Sequence, residues 1–356
     1  MNVHCAGCQQ AGSFRGKATV ERTGAPGRAR LVVEEGETWD VALPCTLRAG
    51  TEFNIVRIEE TAYRGSVIIA SDGPLFSVVN YLAVDDYLRG VVPLEVGRGS
   101  EDVIEAVKAQ AVAARTYTFR KMQENTGNRF DLSATVSDQV YGGVAAESDI
   151  CNKAIHATAG EVLVFNDSLI YAYYHSTCGG RTANIEDVWN KSAVAYLRSV
   201  DDGDIPFCNQ SGSFTWEEQW PLGQFTSIVN KYSREAFPQN PCLGDVRDIS
   251  IDSRFKCGRI KQLTIRTTNG VFLYGGDKIR FALRRNSPGY PILKSSLITD
   301  AWVKGGTVVI KGRGYGHGVG MCQMGALARA RKGMAYEEIV KAYYTGTEIR
   351  KTGSNK

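Results

Sequence analysis

Apolar positions change their spacing along this chain, and the changes mark out its elements. Through residues 16–82 they come in short runs broken by Gly and polar turns. Val32, Val33, Val41 and Leu43 are followed by Phe53, Ile55, Val56 and Ile58. Runs of this length predict strands. Ser66–Ala70 and Phe76–Tyr81 flank Ser71-Asp72-Gly73, a turn signal in which Gly supplies positive φ, so 66–81 reads as a hairpin. From residue 101 the period becomes helical. Val103, Val107, Gln110 and Ala114 share one face and predict a helix over 101–124. Ser100 can cap it, Glu101 and Asp102 suit its positive end, and Gly127 can close it. Gln110 then sits on the core-facing stripe. A buried amide needs partners, so it either braces a loop or faces a cleft.

Strand patterns return at 161–175 and 260–275. Residues 201–245 are rich in Gly, Pro, Ser and Asn and read as irregular, and 201–260 is the expected place of an insertion. Gly320–Lys332 and Tyr336–Tyr344 read as helices, each followed by Gly (Gly333, Gly346). Residues 1–15 are polar and read as a loose leader.

With 356 residues, 43% of them hydrophobic, the chain can bury one large core or two modest ones. The 42 Lys and Arg against 38 Asp and Glu are interspersed, which excludes the clustered basic footprint of a nucleic-acid binder. A mildly basic surface suits an anionic polymer such as cell wall. No apolar stretch reaches the roughly 18 residues of a membrane span, and no export signal is visible. The chain is expected to be cytosolic or a fragment whose export signal has been removed. Nine cysteines, an odd number, suit one to three disulfides beside buried thiols.

Three segments are candidates for chemistry. In Gly90-Val91-Val92-Pro93-Leu94-Glu95-Val96-Gly97 a single carboxylate follows an apolar run and a proline, which places Glu95 in an expected loop before the long helix. Apolar enclosure disfavours the charged form of a carboxyl, which is what a general acid needs. In Lys311–Met321, Gly alternates with other residues. A dinucleotide site would need a parallel βαβ unit around it, and none follows. The alternative is a backbone that approaches something closely, with Tyr315 and His317 projecting between glycines towards a sugar-lined groove. In Tyr173–Gly180, His175 and Cys178 are candidate metal ligands, or Cys178 a nucleophile, and a Cys178–Cys208 disulfide is open. Cys5-x-x-Cys8 stands alone in the leader.

The order of these blocks carries more than any one of them. Val79–Glu95, Glu105–Tyr117, Asp138–Gly143, Tyr174–Thr182, Trp189, Tyr196–Val200, Leu293–Ser296, Gly312–Met321 and Gln323 resemble, in sequence order, the SpoIID/LytB family (stage II sporulation protein D-like proteins). The resemblance spans residues 65–349, about four-fifths of the chain. It implies an α+β fold with mixed sheets. A long helix bearing Gln110 would lie beside a substrate groove, with a strand-rich subdomain, a 16–64 N-terminal strand-rich segment and a 65–349 core. It also implies a peptidoglycan lytic transglycosylase acting outside the cytoplasmic membrane, with Glu95 catalytic. Substrate contacts would come from Gln110, Gln139, Tyr141, Ser176, Tyr315, His317 and Gln323. The implied partners are peptide-stripped glycan strands, a cell-wall amidase and membrane-anchored proteins, with no nucleic acid and no cofactor.

Some relatives hold zinc in the loop before Gln-Val-Tyr. Here that loop, 128–138, has no His or Cys, so no metal is expected there. Two alternatives compete with the enzyme: a non-catalytic regulator of an N-acetylmuramoyl-L-alanine amidase, and a Cys or zinc peptidase built on His175 and Cys178. Most glycosidases use two carboxylates. A lytic transglycosylase can use one, because the sugar's own C6 hydroxyl is the nucleophile and its ring closure is intramolecular.

Overall fold

The structure is a computed structural model, and it describes residues 2–5, 11–14, 16–34, 36–50 and 55–352. Cys8 and Phe53 lie outside the described residues. The fold is α+β, with helices among several small sheets. The chain divides into two compact units, the first made of residues 1–99 and 118–159, the second of 100–117 and 160–356. Residues 118–159 of the first unit therefore lie, in sequence, between the two stretches of the second.

In the first unit the expected hairpin forms from Ser66–Asp72 and Leu75–Tyr81, and Gly73 takes φ +54° at its turn. Within the expected leader, Asn2–Cys5 and Ala11–Ser13 are instead strands, because Asn2–Cys5 pairs with Cys45–Arg48 and extends the sheet that holds the hairpin. Ala18–Arg22, Arg28–Val33 and Thr38–Ala42 make a second antiparallel sheet. Leu31, Val33, Leu47, Val67 and Ile69 supply the core of this strand-rich part. Leu31 alone contributes about 2 kcal/mol by leaving water.

The Val84–Val96 helix corrects the expected loop at Glu95. Pro93 sits inside its last turn, where it removes one helical hydrogen bond, while Leu88, Val91 and Val92 bury the helix's inner face. Gly97, at φ +84°, ends it.

The second unit carries two apolar cores. One packs the Ile104–Tyr117 part of the long Ile104–Glu124 helix against Leu163, Ile170, Met321 and the Gln323–Arg331 and Tyr336–Tyr343 helices. Ser100 does not cap the long helix through its side chain, because its hydroxyl bonds to Asp102 instead. The other core lies between two three-stranded antiparallel sheets and the Leu222–Ala236 helix. Residues 201–245 are therefore not irregular. Thr215–Pro221 is a strand paired residue for residue with Thr307–Arg313, and it buries Trp216 and Trp220. Phe225, Ile228 and Val229 form the apolar stripe of the helix that follows. No helix among the described residues is long and apolar enough to cross a membrane.

Candidate functional site

Glu95, Gln139 and Tyr141 fall in the first unit, and Gln110, Ser176, Tyr315, His317 and Gln323 in the second. Each group is built by its own surroundings.

Glu95 stands half-buried in the last turn of its helix, beside the exposed Leu94. No basic residue shares that turn, and the negative end of a helix dipole opposes a carboxylate there. The helix is held against the Gln139–Ala146 segment through Gly90. The Gly90 carbonyl accepts from the Gly142 N–H at 3.1 Å. A Cβ on Gly90 would lie 2.5 Å from the Tyr141 ring, so only glycine permits this approach.

Tyr87, on the same helix, stacks obliquely on Tyr141 with centroids 5.0 Å apart. Its hydroxyl reaches the Gln139 side-chain carbonyl at 3.4 Å, and the same oxygen accepts from Thr118 at 2.9 Å. Gln139 is buried. Burial pushes the Tyr87 phenol well up, and the nearby charges of Asp138, Tyr141 and Glu95 push it further, so it stays a neutral donor. The Tyr141 hydroxyl donates to Asn80 Oδ1 at 2.8 Å. Tyr141, Asn80, Tyr87, Tyr63, Val78 and Phe130 line a cleft of about 420 Å³. Its walls are mostly apolar and aromatic, with a few polar groups, as ligand clefts commonly are.

In the second unit Gln110 is buried, as its helical stripe requires, and its carbonyl accepts from the Gln323 amide at 3.4 Å. Ser176 is half-buried and its hydroxyl lies 3.2 Å from that of Thr177. Tyr315 is exposed, while its backbone is fixed by reciprocal hydrogen bonds with Thr177.

His317 does not project as the alternating glycines suggest. Its ring packs against Trp189 at 4.9 Å and His175 at 5.5 Å. Nε2–H donates to the Tyr174 carbonyl at 2.9 Å, and Nδ1 accepts from the Val319 N–H at 3.1 Å, which fixes the tautomer. Burial lowers its pKa to about 4; Arg280 and Arg259 act in the same direction and Asp277 against it. The glycines serve a different end. Gly314 and Gly320, at φ +77° and +70°, would place a Cβ 2.6 Å from the Thr177 carbonyl and 2.0 Å from that of Tyr173. Their close approach is to the chain's own 173–178 segment. His175 is buried and neutral, with Nδ1 on the Val319 carbonyl at 3.2 Å.

Sequence reasoning missed one cluster. Cys178, Asp202, Cys208 and Cys322 are all buried, and their ligand atoms lie within 4.8 Å of one another. Cys178 follows the Tyr174–His175 strand, Cys208 lies in the Phe207–Gln210 turn of 3-10 helix, and Cys322 caps the Gln323–Arg331 helix by accepting from Gly325 N–H. Cys178 and Cys208 are separate thiols, with sulfurs 3.4 Å apart, so the open disulfide is not formed. His175 is not part of the cluster, and neither of its ring nitrogens bonds to Cys178: Nδ1 lies on the Val319 carbonyl and Nε2 has no hydrogen-bond partner among the described residues. The signal available in sequence was Cys178 with Cys208; Cys322, more than a hundred residues on, carried no local spacing rule.

With this geometry in place, comparison with known proteins gives the family. The model of the stage II sporulation protein family matches residues 74–165, and a model described only as a domain of unknown function matches 207–320. Stage II sporulation protein D of Bacillus subtilis is 31% identical over 76% of this chain and 75% of its own length. An uncharacterised protein of Brachyspira hyodysenteriae is 31% identical over 81% of this chain and 72% of its own length. The amidase enhancer of Bacillus subtilis is also 31% identical, over 74% of this chain but only 40% of its own length. The chain belongs to the stage II sporulation protein D family.

Proposed function

We propose that this protein is a peptidoglycan lytic transglycosylase working outside the cytoplasmic membrane, with Glu95 as its general acid and then its base. The observation that carries the reading is the position of Glu95. It is half-buried at a helix C-terminus, within the segment 74–165 that matches the sporulation protein model. There the negative end of the helix dipole opposes the ionised carboxylate, beside the exposed Leu94, at the place a general acid would need it.

Protonated Glu95 donates to the oxygen linking N-acetylmuramic acid to N-acetylglucosamine. The ring passes through an oxocarbenium-like state, and the resulting carboxylate takes the proton of the C6 hydroxyl as that oxygen closes on C1. The product ends in 1,6-anhydro-muramic acid, and no water enters. In the first unit Tyr141 offers an aromatic face to a sugar ring and the buried Gln139 braces the segment behind it; in the second, Tyr315 offers an aromatic face and Ser176 a hydroxyl, with the buried Gln110 and Gln323 and the half-buried His317 holding the segments that carry them. Glycan strands stripped of stem peptides are the proposed substrate. Incubation with such strands should shorten their length distribution; strands that stay intact refute the proposal.

The amidase-enhancer relative supports a second reading, in which the chain binds cell wall and stimulates an amidase. An increase in amidase rate that survives Glu95→Gln would favour it.

A further inference from the structure

We infer that Cys178, Cys208, Cys322 and Asp202 form a structural zinc site that pins together the three segments on which Ser176, the 201–210 turn and Gln323 are built. This is independent of the reaction proposed above.

The donor set comes first. Three sulfurs and one carboxylate oxygen, all buried, converge within 4.8 Å of one another. Four ligands around a tetrahedral ion with metal–sulfur bonds of about 2.3 Å stand about 3.8 Å apart. The Cys178 and Cys208 sulfurs, at 3.4 Å, are already close to that edge length and far outside a disulfide bond. Thiolate-rich tetrahedral sets select zinc over the oxygen-seeking magnesium or calcium. Four protein ligands leave no open position, which marks a structural ion rather than a catalytic one.

The surroundings are those of ligands rather than of inert buried thiols. Backbone N–H groups point at the sulfurs: Cys178 N–H at Cys322 Sγ (3.2 Å), Gly180 N–H at Cys178 Sγ (3.4 Å) and Gly325 N–H at Cys322 Sγ (3.4 Å). Such donors stabilise thiolates and fix their direction. Asp202 is oriented on both oxygens. Oδ1 accepts from the Tyr343 hydroxyl at 2.7 Å and from Arg329 at 3.4 Å, and Oδ2 accepts from the Cys208 N–H at 2.9 Å. Three thiolates and a carboxylate around a divalent ion leave two negative charges, and Arg329, beside Asp202, offsets one. Gly325 completes the packing. A Cβ there would meet Tyr343 Oη at 2.1 Å and Asp202 Oδ1 at 2.8 Å.

The competing outcome is redox. Oxidation of Cys178 and Cys208 would join them and leave Cys322 alone. The test uses the full chain, purified without chelator under mild reduction, with zinc measured by mass spectrometry. One zinc per chain is expected, retained on dialysis against a weak chelator and released by a mercurial reagent. After replacement by cobalt(II), thiolate-to-cobalt charge-transfer bands should appear with the intense visible bands of a tetrahedral site. Cys322→Ser and Cys208→Ser should lose bound zinc, Asp202→Cys should keep it, and Cys242→Ser, at an exposed thiol, should leave it unchanged. If the Ser variants fail to fold, cobalt titration of the unaltered chain still decides. A folded chain that takes up neither zinc nor cobalt overturns the proposal. So does peptide mapping that finds Cys178 and Cys208 joined.

Discussion

Thr118 and Tyr87 share one acceptor: the Gln139 carbonyl takes the Thr118 hydroxyl at 2.9 Å and the Tyr87 hydroxyl at 3.4 Å. This buried amide sets where Tyr87, and through it Tyr141, stands beside the cleft. Gln139→Leu should therefore cost about 1–3 kcal/mol, because it strips an acceptor from two hydroxyls in a buried place. Thr118→Val, which removes one donor and keeps the shape, should cost no more than about 1 kcal/mol. Urea denaturation of both variants checks the ranking; equal costs would mean that Gln139 is not the shared anchor.

The glycines of the 312–320 segment differ from ordinary turn glycines in what lies next to them. Gly320→Ala forces a Cβ to within 2.0 Å of the Tyr173 carbonyl at φ +70°. It should cost well over about 2 kcal/mol or prevent folding. Gly333, at φ +81° with open space around it, bears only the left-handed strain, and its Ala variant should lose about 1 kcal/mol. Similar melting temperatures for the two variants would contradict the close approach.

Acid should weaken the second unit through His317. Its pKa in the fold is lowered to about 4, against about 6.5 for an unfolded histidine. Between those values the unfolded chain binds the extra proton, so stability contributed by the neutral ring is intact above pH ~6.5 and lost as pH falls towards 4. The loss reaches at most about 3.5 kcal/mol, since each pKa unit is worth about 1.4 kcal/mol. Denaturation at several pH values, on the unaltered chain and on His317→Asn, tests this. An unchanged acid slope in the variant would assign the effect to other groups.

The sequence shows an element clearly wherever one period runs unbroken. The 66–81 hairpin and the helix through Gln110 stand where the pattern puts them, because their alternation and 3.6-residue stripe face real cores. The Glu95 helix was hidden by Gly90 and Pro93, which read as breakers. Gly90 is instead required by the Tyr141 ring, and Pro93 sits where only one hydrogen bond is lost. Residues 215–236 were hidden by their Gly, Pro and Ser content, although Trp216 and Trp220, then Phe225, Ile228 and Val229, carry legible spacing. Tyr315 is exposed, whereas the packing of His317 follows from Trp189 and His175, which no local pattern places beside it. The four-residue cysteine and aspartate cluster is a product of tertiary folding, and no spacing rule reaches across it.

Glu95→Gln should leave stability within about 0.5 kcal/mol, since the side chain is half-exposed and the exchange conserves its shape. It should lower glycan cleavage by at least about a hundredfold, the usual scale for losing a general acid.

The most direct measurement is mass spectrometry of the ends produced when purified, peptide-stripped glycan strands are incubated with the unaltered chain and with Glu95→Gln. New 1,6-anhydro-muramyl ends from the first and none from the second are the predicted result. Hydrated reducing ends, or anhydro ends that persist in Glu95→Gln, would contradict the assignment of a single carboxylate to this reaction.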